Sequence, residues 1–113
     1  GRTIRVIGST DMTHYGPDFG LTCAGTGTAA VSWVKNENDG NAINAMVAMD
    51  EAGIIANGLE RSSMCCPGAA AAAAAACKTS GATRAVVLDY ATSFDKSAGA
   101  SFVGYSGILY AAA

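Results

Sequence analysis

Eight consecutive alanines, Ala69 to Ala76, lie behind Pro67-Gly68 and ahead of Gly81. Alanine has the highest helix propensity, proline is tolerated in a first helical turn, and glycine commonly ends a helix, so the spacing predicts a helix that begins at Pro67 and stops before Gly81. Alanine buries little area, whereas a helix lying on a sheet normally carries Leu, Ile or Val on its inner face. Either a neighbouring backbone comes close to this helix, or the run stands for side chains that were not identified. An intact mass matching 11.2 kDa decides between the two.

The rest of the chain alternates in character. Thr3-Ile4-Arg5-Val6-Ile7 is rich in β-branched residues and stops at Gly8, which predicts a strand delivering residues 9 to 14 into a loop. Tyr15 to Asp18 reads as a turn and Gly20 to Gly27 as an irregular connection. From Asp39 to Met49 the apolar residues Ala42, Ile43, Met46, Val47 and Met49 make a helical stripe with Asp39 as its expected cap. A weaker helical stretch follows from Glu51 to Glu60. Ala85 to Leu88, and Ser101 to Tyr110, read as two strands joined by the polar loop Thr92 to Gly99. The order strand, helices, strand, strand implies one α/β domain over residues 1–113, a layered sheet with covering helices, with any ligand expected near the ends of strands.

Composition narrows the function. Apolar residues make up 50% of the chain and charged residues 14%, so an apolar surface covered by a partner is expected, either a missing half or a second copy in a homo-oligomer. With a net charge of −2 and Lys and Arg scattered singly, there is no basic stripe for nucleic acid. No run reaches the roughly 18 apolar residues of a membrane span. The first residues lack the pattern of a signal peptide, and Gly1 in place of Met implies a processed chain or a piece of a longer one. Cys23, Cys65, Cys66 and Cys77 lack C-x-x-C spacing, which favours reduced thiols in a cytoplasm over a structural zinc site.

The one imidazole of the chain is His14, three residues after Asp11. On a turn that spacing lets a carboxylate orient a ring and leave one nitrogen free for proton transfer or metal. An arbitrary pair of this kind is more often a polar turn with the ring in water. Cys65 and Cys66 precede Pro67, where backbone N–H groups and the helix dipole favour a thiolate, although most free cysteines are inert. Trp33, with Val31 and Val34, reads as a core or interface anchor. Gly25-Thr26-Gly27 lacks the G-K-[ST] of a phosphate loop.

Four ordered blocks carry a resemblance to a known family. Ser9-Thr10-Asp11-Met12-Thr13-His14-Tyr15-Gly16 resembles the S-S-D-x-x-H-[YW]-G segment of the Memo-like proteins, the family that includes AmmeMemoRadiSam system protein B. Met64-Cys65-Cys66-Pro67-Gly68 resembles its C-G-x-G-P segment, Leu88 to Ser93 its L-x-Y-A-T-S strand end, and Asp95 to Ser97 with Val103-Gly104-Tyr105 its closing strand. Cys66 stands where the family usually has Gly, and Ala69 where it usually has Pro.

The resemblance corresponds to the C-terminal part of the family's proteins. It implies a fold like that of class III extradiol dioxygenases, with a metal pocket whose ligands are two histidines and one cysteine. Cys65 takes the place of the ligand cysteine, and Asp11 and His14 match the acidic and imidazole groups that line the pocket. The ligand histidines belong to the N-terminal half of the family's proteins and have no counterpart in this sequence. Tyr15, Cys66 and Thr92 are lesser pocket candidates.

The reading that results is a pocket of metal-dependent oxidoreductase type for a small molecule, holding iron, copper or zinc and incomplete in this chain, with Asp11 and His14 catalytic and Cys65 the ligand. Its rivals are a non-catalytic binding or assembly module that keeps the fold without the full site, and a thiol redox protein using Cys65 and Cys66.

Overall fold

A computed structural model describes residues 1–113. Its sheet has three antiparallel strands, His14–Tyr15 (β1), Arg84–Thr92 (β2) and Phe102–Ala111 (β3), in the order β1-β3-β2. The two long strands are the β-branched and aromatic stretches expected from the sequence. They pair from Arg84 opposite Ala111 to Thr92 opposite Gly104, with a bulge between Val87 and Asp89. The polar link between them tightens into a 3₁₀ turn at Ser93–Asp95, where the Asp95 carboxylate accepts the Thr92 N–H at 2.8 Å.

Helices cover this sheet, giving the expected α/β layers. They are Thr28–Trp33 (α1), Asp39–Val47 (α2), Glu51–Arg61 (α3) and Pro67–Thr79 (α4), and a π-helical turn over Val34–Asn38 joins α1 to α2. Asp50 caps α3 by accepting the Gly53 N–H at 3.1 Å. Pro67 opens α4, and Gly81, at φ +100°, lies in the left-handed region just past its end. The alanine run meets the close backbone that its small side chains call for. A Cβ on Gly8 would lie 2.6 Å from the Ala69 carbonyl oxygen and 2.7 Å from the Ala73 Cβ.

Apolar side chains gather in two groups. Met12, Met46, Ile54, Met64 and the inner alanines of α4 fill the space among α2, α3 and α4, and Tyr15, Ala30, Val34 and Phe102 form a second group. Trp33 flanks the second group, its ring 6.0 Å from that of Tyr15.

Two expectations are corrected. Residues 3–7 form no strand: they run without backbone hydrogen bonds to any other segment, with Ile4 and Ile7 largely exposed. Extended backbone becomes a strand only beside a partner ladder, and the bonds of this part of the chain to β3 begin at Met12 and reach only Phe102–Gly104. Asp39 does not cap α2. It is fully buried, and its carboxylate points into the protein.

Candidate metal site

The loop that carries Asp11 and His14 is fixed before it reaches them. Met12 donates its N–H to the Gly104 carbonyl at 2.9 Å, Gly104 returns its own N–H to the Thr13 carbonyl at 3.0 Å, and His14 and Tyr15 then pair with Val103 and Phe102. The segment before α4 is tied to the same loop. Cys65 donates its N–H to the Asp11 carbonyl at 3.2 Å, and Cys66, at the N-cap position of α4, donates its N–H to Thr10 Oγ1 at 2.9 Å. Residues more than fifty positions apart in sequence are thus laced together through backbone N–H groups, the Thr10 hydroxyl and the Cys65 sulfur.

These ties bring three ligand-type side chains to one point. The ligand atoms of Asp11, His14 and Cys65 all lie within 4.8 Å of one another. His14 Nε2 sits 3.4 Å from Asp11 Oδ2, and the Cys65 sulfur accepts the Asp11 N–H at 3.3 Å with the Thr10 hydroxyl 3.4 Å away. The His14 side chain is 34% exposed, yet its Nε2 is buried and makes no hydrogen bond. A buried ring nitrogen without a hydrogen-bond partner, facing a carboxylate and a sulfur, fits a cation in a way that a solvated polar turn does not. The Phe19 ring lies 4.9 Å from the imidazole, tilted against it.

The remaining candidates lie apart from this point. Tyr15 is wholly buried in the second apolar group, where its hydroxyl donates to the Gly25 carbonyl at 2.7 Å and accepts the Ala24 N–H at 2.9 Å. Cys66 is exposed, and its backbone rather than its sulfur ties it to Thr10. Thr92 is buried at the end of β2, opposite Gly104.

Beneath the loop lies a polar cluster that sequence reasoning missed. The Asp39 carboxylate accepts the Thr13 N–H at 3.0 Å, the Thr13 hydroxyl, and the Tyr90 hydroxyl at 2.7 Å. Asn38 Nδ2 donates to Thr13 Oγ1 at 2.9 Å and to the Arg61 carbonyl at 3.0 Å. Burial pushes the Asp39 carboxyl above its ordinary value, against the hydrogen bonds from Thr13 and Tyr90. Burial and the adjacent Asp39 push the Tyr90 phenol up as well. The signal that was available is the adjacent pair Asn38-Asp39, two polar residues at the head of an apolar stripe.

The chain matches the family model of the Memo-like protein over residues 2–109. It is 32% identical over 111 residues to a MEMO1 family protein of Pyrococcus furiosus and 38% identical over 112 residues to one of Methanopyrus kandleri, with 96% of this chain covered in each case. A MEMO1 family protein of Thermococcus kodakarensis is 30% identical over 112 residues, with 97% of this chain covered. The chain spans 38%, 34% and 38% of the lengths of these three relatives. No solved structure matches it.

Proposed function

This chain belongs to the Memo-like family, and on that premise we propose that Asp11, His14 and Cys65 form part of a metal-dependent pocket of oxidoreductase type acting on a small molecule. The observation that carries the reading is the convergence of a carboxylate, a thiol and an unpartnered buried imidazole nitrogen within 4.8 Å. A bound iron, copper or zinc ion would supply Lewis-acid chemistry there and, for iron or copper, one-electron chemistry.

The chain's own residues have separable roles. Cys65 provides the soft ligand, its sulfur aimed by the Asp11 N–H. His14 provides the imidazole, whose Nε2 faces Asp11 Oδ2 at 3.4 Å, so a cation held there would touch both groups. Three protein ligands at most come from this chain. Its span of little more than a third of its relatives' lengths supports a pocket completed by further polypeptide, either the remainder of a longer chain or a second copy. Free thiols at all four cysteines suit a reducing cytoplasm.

The test is anaerobic titration of the chain with Co²⁺, Zn²⁺, Cu²⁺ and Fe²⁺, with metal content measured after gel filtration. The expected result is one equivalent of bound metal, lost in Cys65→Ser and His14→Ala. A folded chain that retains none of the four ions, both alone and joined to the polypeptide that completes the pocket, overturns the proposal and supports the non-catalytic assembly module.

A further inference from the structure

We infer that Asp39 is a positioning residue for the Asp11, His14 and Cys65 site, acting through Thr13. The inference rests on the metal reading of that site. Only Met12 and Thr13 separate Asp11 from His14, so the peptide planes of these two residues set the angle between the carboxylate and the imidazole. The Gly104 backbone holds the Met12 N–H and the Thr13 carbonyl. The Thr13 N–H is held by the Asp39 carboxylate alone, inside a residue with no exposed surface. Releasing that bond loosens the Met12–Thr13 peptide, and with it the backbone that sets Asp11 against His14, while Gly104 and Val103 still hold the Thr13 carbonyl and the His14 strand.

Three costly features converge on this contact. A carboxylate is buried where an apolar side chain would pack with less penalty. Gly104 carries no side chain there, since a Cβ would collide with Asp39 Oδ2 and stand 3.2 Å from the Tyr90 hydroxyl. The chain also adopts a π-helical turn at Val34–Asn38, so that two consecutive residues, Asn38 and Asp39, both face inward. Apolar packing resists compression but leaves a peptide free to rotate, whereas a carboxylate gripping an N–H fixes its direction. Tyr90 from β2 holds the second carboxylate oxygen, and Asn38 holds the Thr13 hydroxyl while anchored to the end of α3.

The experiment compares the wild-type chain with Asp39→Asn, Tyr90→Phe and Tyr110→Phe. Tyr110→Phe is the control, because it deletes a half-buried hydroxyl that donates to the Met46 carbonyl, away from the cluster. Two readouts are taken: Co²⁺ affinity from the thiolate-to-cobalt absorption, and the Cε1–Hε1 NMR signal of His14 in the metal-free chain, where it is the one imidazole. Asp39→Asn leaves one neutral amide oxygen for the Thr13 N–H and turns an N–H₂ towards the Tyr90 hydroxyl, so it is expected to weaken cobalt binding about 10-fold and to broaden or split the His14 signal. Tyr90→Phe should shift both readouts in the same direction by less, and Tyr110→Phe should move neither.

A folded Asp39→Asn chain with wild-type cobalt affinity and an unchanged His14 signal overturns the inference. If Asp39→Asn fails to fold, Tyr90→Phe decides, and wild-type behaviour in it is equally fatal. If the wild-type chain binds no cobalt, its three ligands do not suffice without the polypeptide that completes the pocket, and the His14 signal alone then decides the positioning role.

Discussion

Thr13→Val is the sharpest probe of the buried cluster, because valine matches threonine in shape and leaves no cavity. The variant removes the hydroxyl that donates to Asp39 and accepts from Asn38, and it keeps the backbone N–H bond to Asp39. Loss of a charge-assisted bond costs about 1.5–3 kcal/mol, and one orphaned amide N–H on Asn38 costs about 1 kcal/mol more. The Tyr90 hydroxyl and the Thr13 N–H still serve the carboxylate, which places the total near 2–4 kcal/mol, a large share of the roughly 5–15 kcal/mol that stabilises an ordinary domain. Urea unfolding followed by far-UV circular dichroism measures the change, with Thr13→Ser as the companion that keeps the hydroxyl and loses one methyl, for about 1 kcal/mol. A Thr13→Val chain within about 0.5 kcal/mol of wild type would refute the reasoning, since buried polar groups cannot lose two hydrogen bonds at so small a penalty.

Further outcomes follow from the same geometry. Cys65→Ser should abolish the thiolate-to-cobalt absorption, while Cys66→Ser, whose sulfur lies outside the ligand cluster, should retain it; the reverse pattern would hand the ligand role to Cys66. The Asp39 carboxyl is raised above its ordinary value of 3.8, chiefly by burial, so its contribution is complete below that value and is lost as pH rises through the folded one. Urea melts at graded pH should therefore show wild-type stability falling relative to Asp39→Asn just above pH 3.8, and a flat difference would contradict the burial argument. Ile54→Ala empties a fully buried site among α2, α3 and α4 and should cost about 2–5 kcal/mol in the same melts.

The parts of the fold that were legible in the sequence are those whose signals are local. Pro67, the alanines and Gly81 mark the start, body and stop of α4 with three separate chemical preferences, and the β2 and β3 stretches carry β-branched and aromatic residues across a polar link. Helix α1 escaped because it offers only six residues behind Gly27, with no side-chain cap. The segment 3–7 has strand composition, but a strand is a property of a pair, and no neighbour is present to complete the ladder. The convergence of Asp11 and His14 with Cys65 was legible only through the resemblance, because the bonds that join them use backbone N–H groups with a carbonyl, a sulfur and a hydroxyl as acceptors, between residues whose separation carries no periodic signal.

Asp39 shows why the same letter supports two opposite readings. Ahead of an apolar stripe, an aspartate is the standard helix cap, and the composition of Asn38-Asp39-Gly40 fits that role. The π-helical turn that ends at Asn38 adds one residue to the winding, so the helix has already begun when Asp39 is reached and its carboxylate is carried inward instead of back over free N–H groups. A periodicity argument assumes constant winding and misses such an insertion. Once inside, the carboxylate needs donors, and it finds them in Thr13 and Tyr90, residues whose own positions in sequence give no hint of partnership. A buried charge that violates the local pattern and still has every oxygen satisfied is a feature the fold is built around, and here the residue it grips lies between the two that face Cys65.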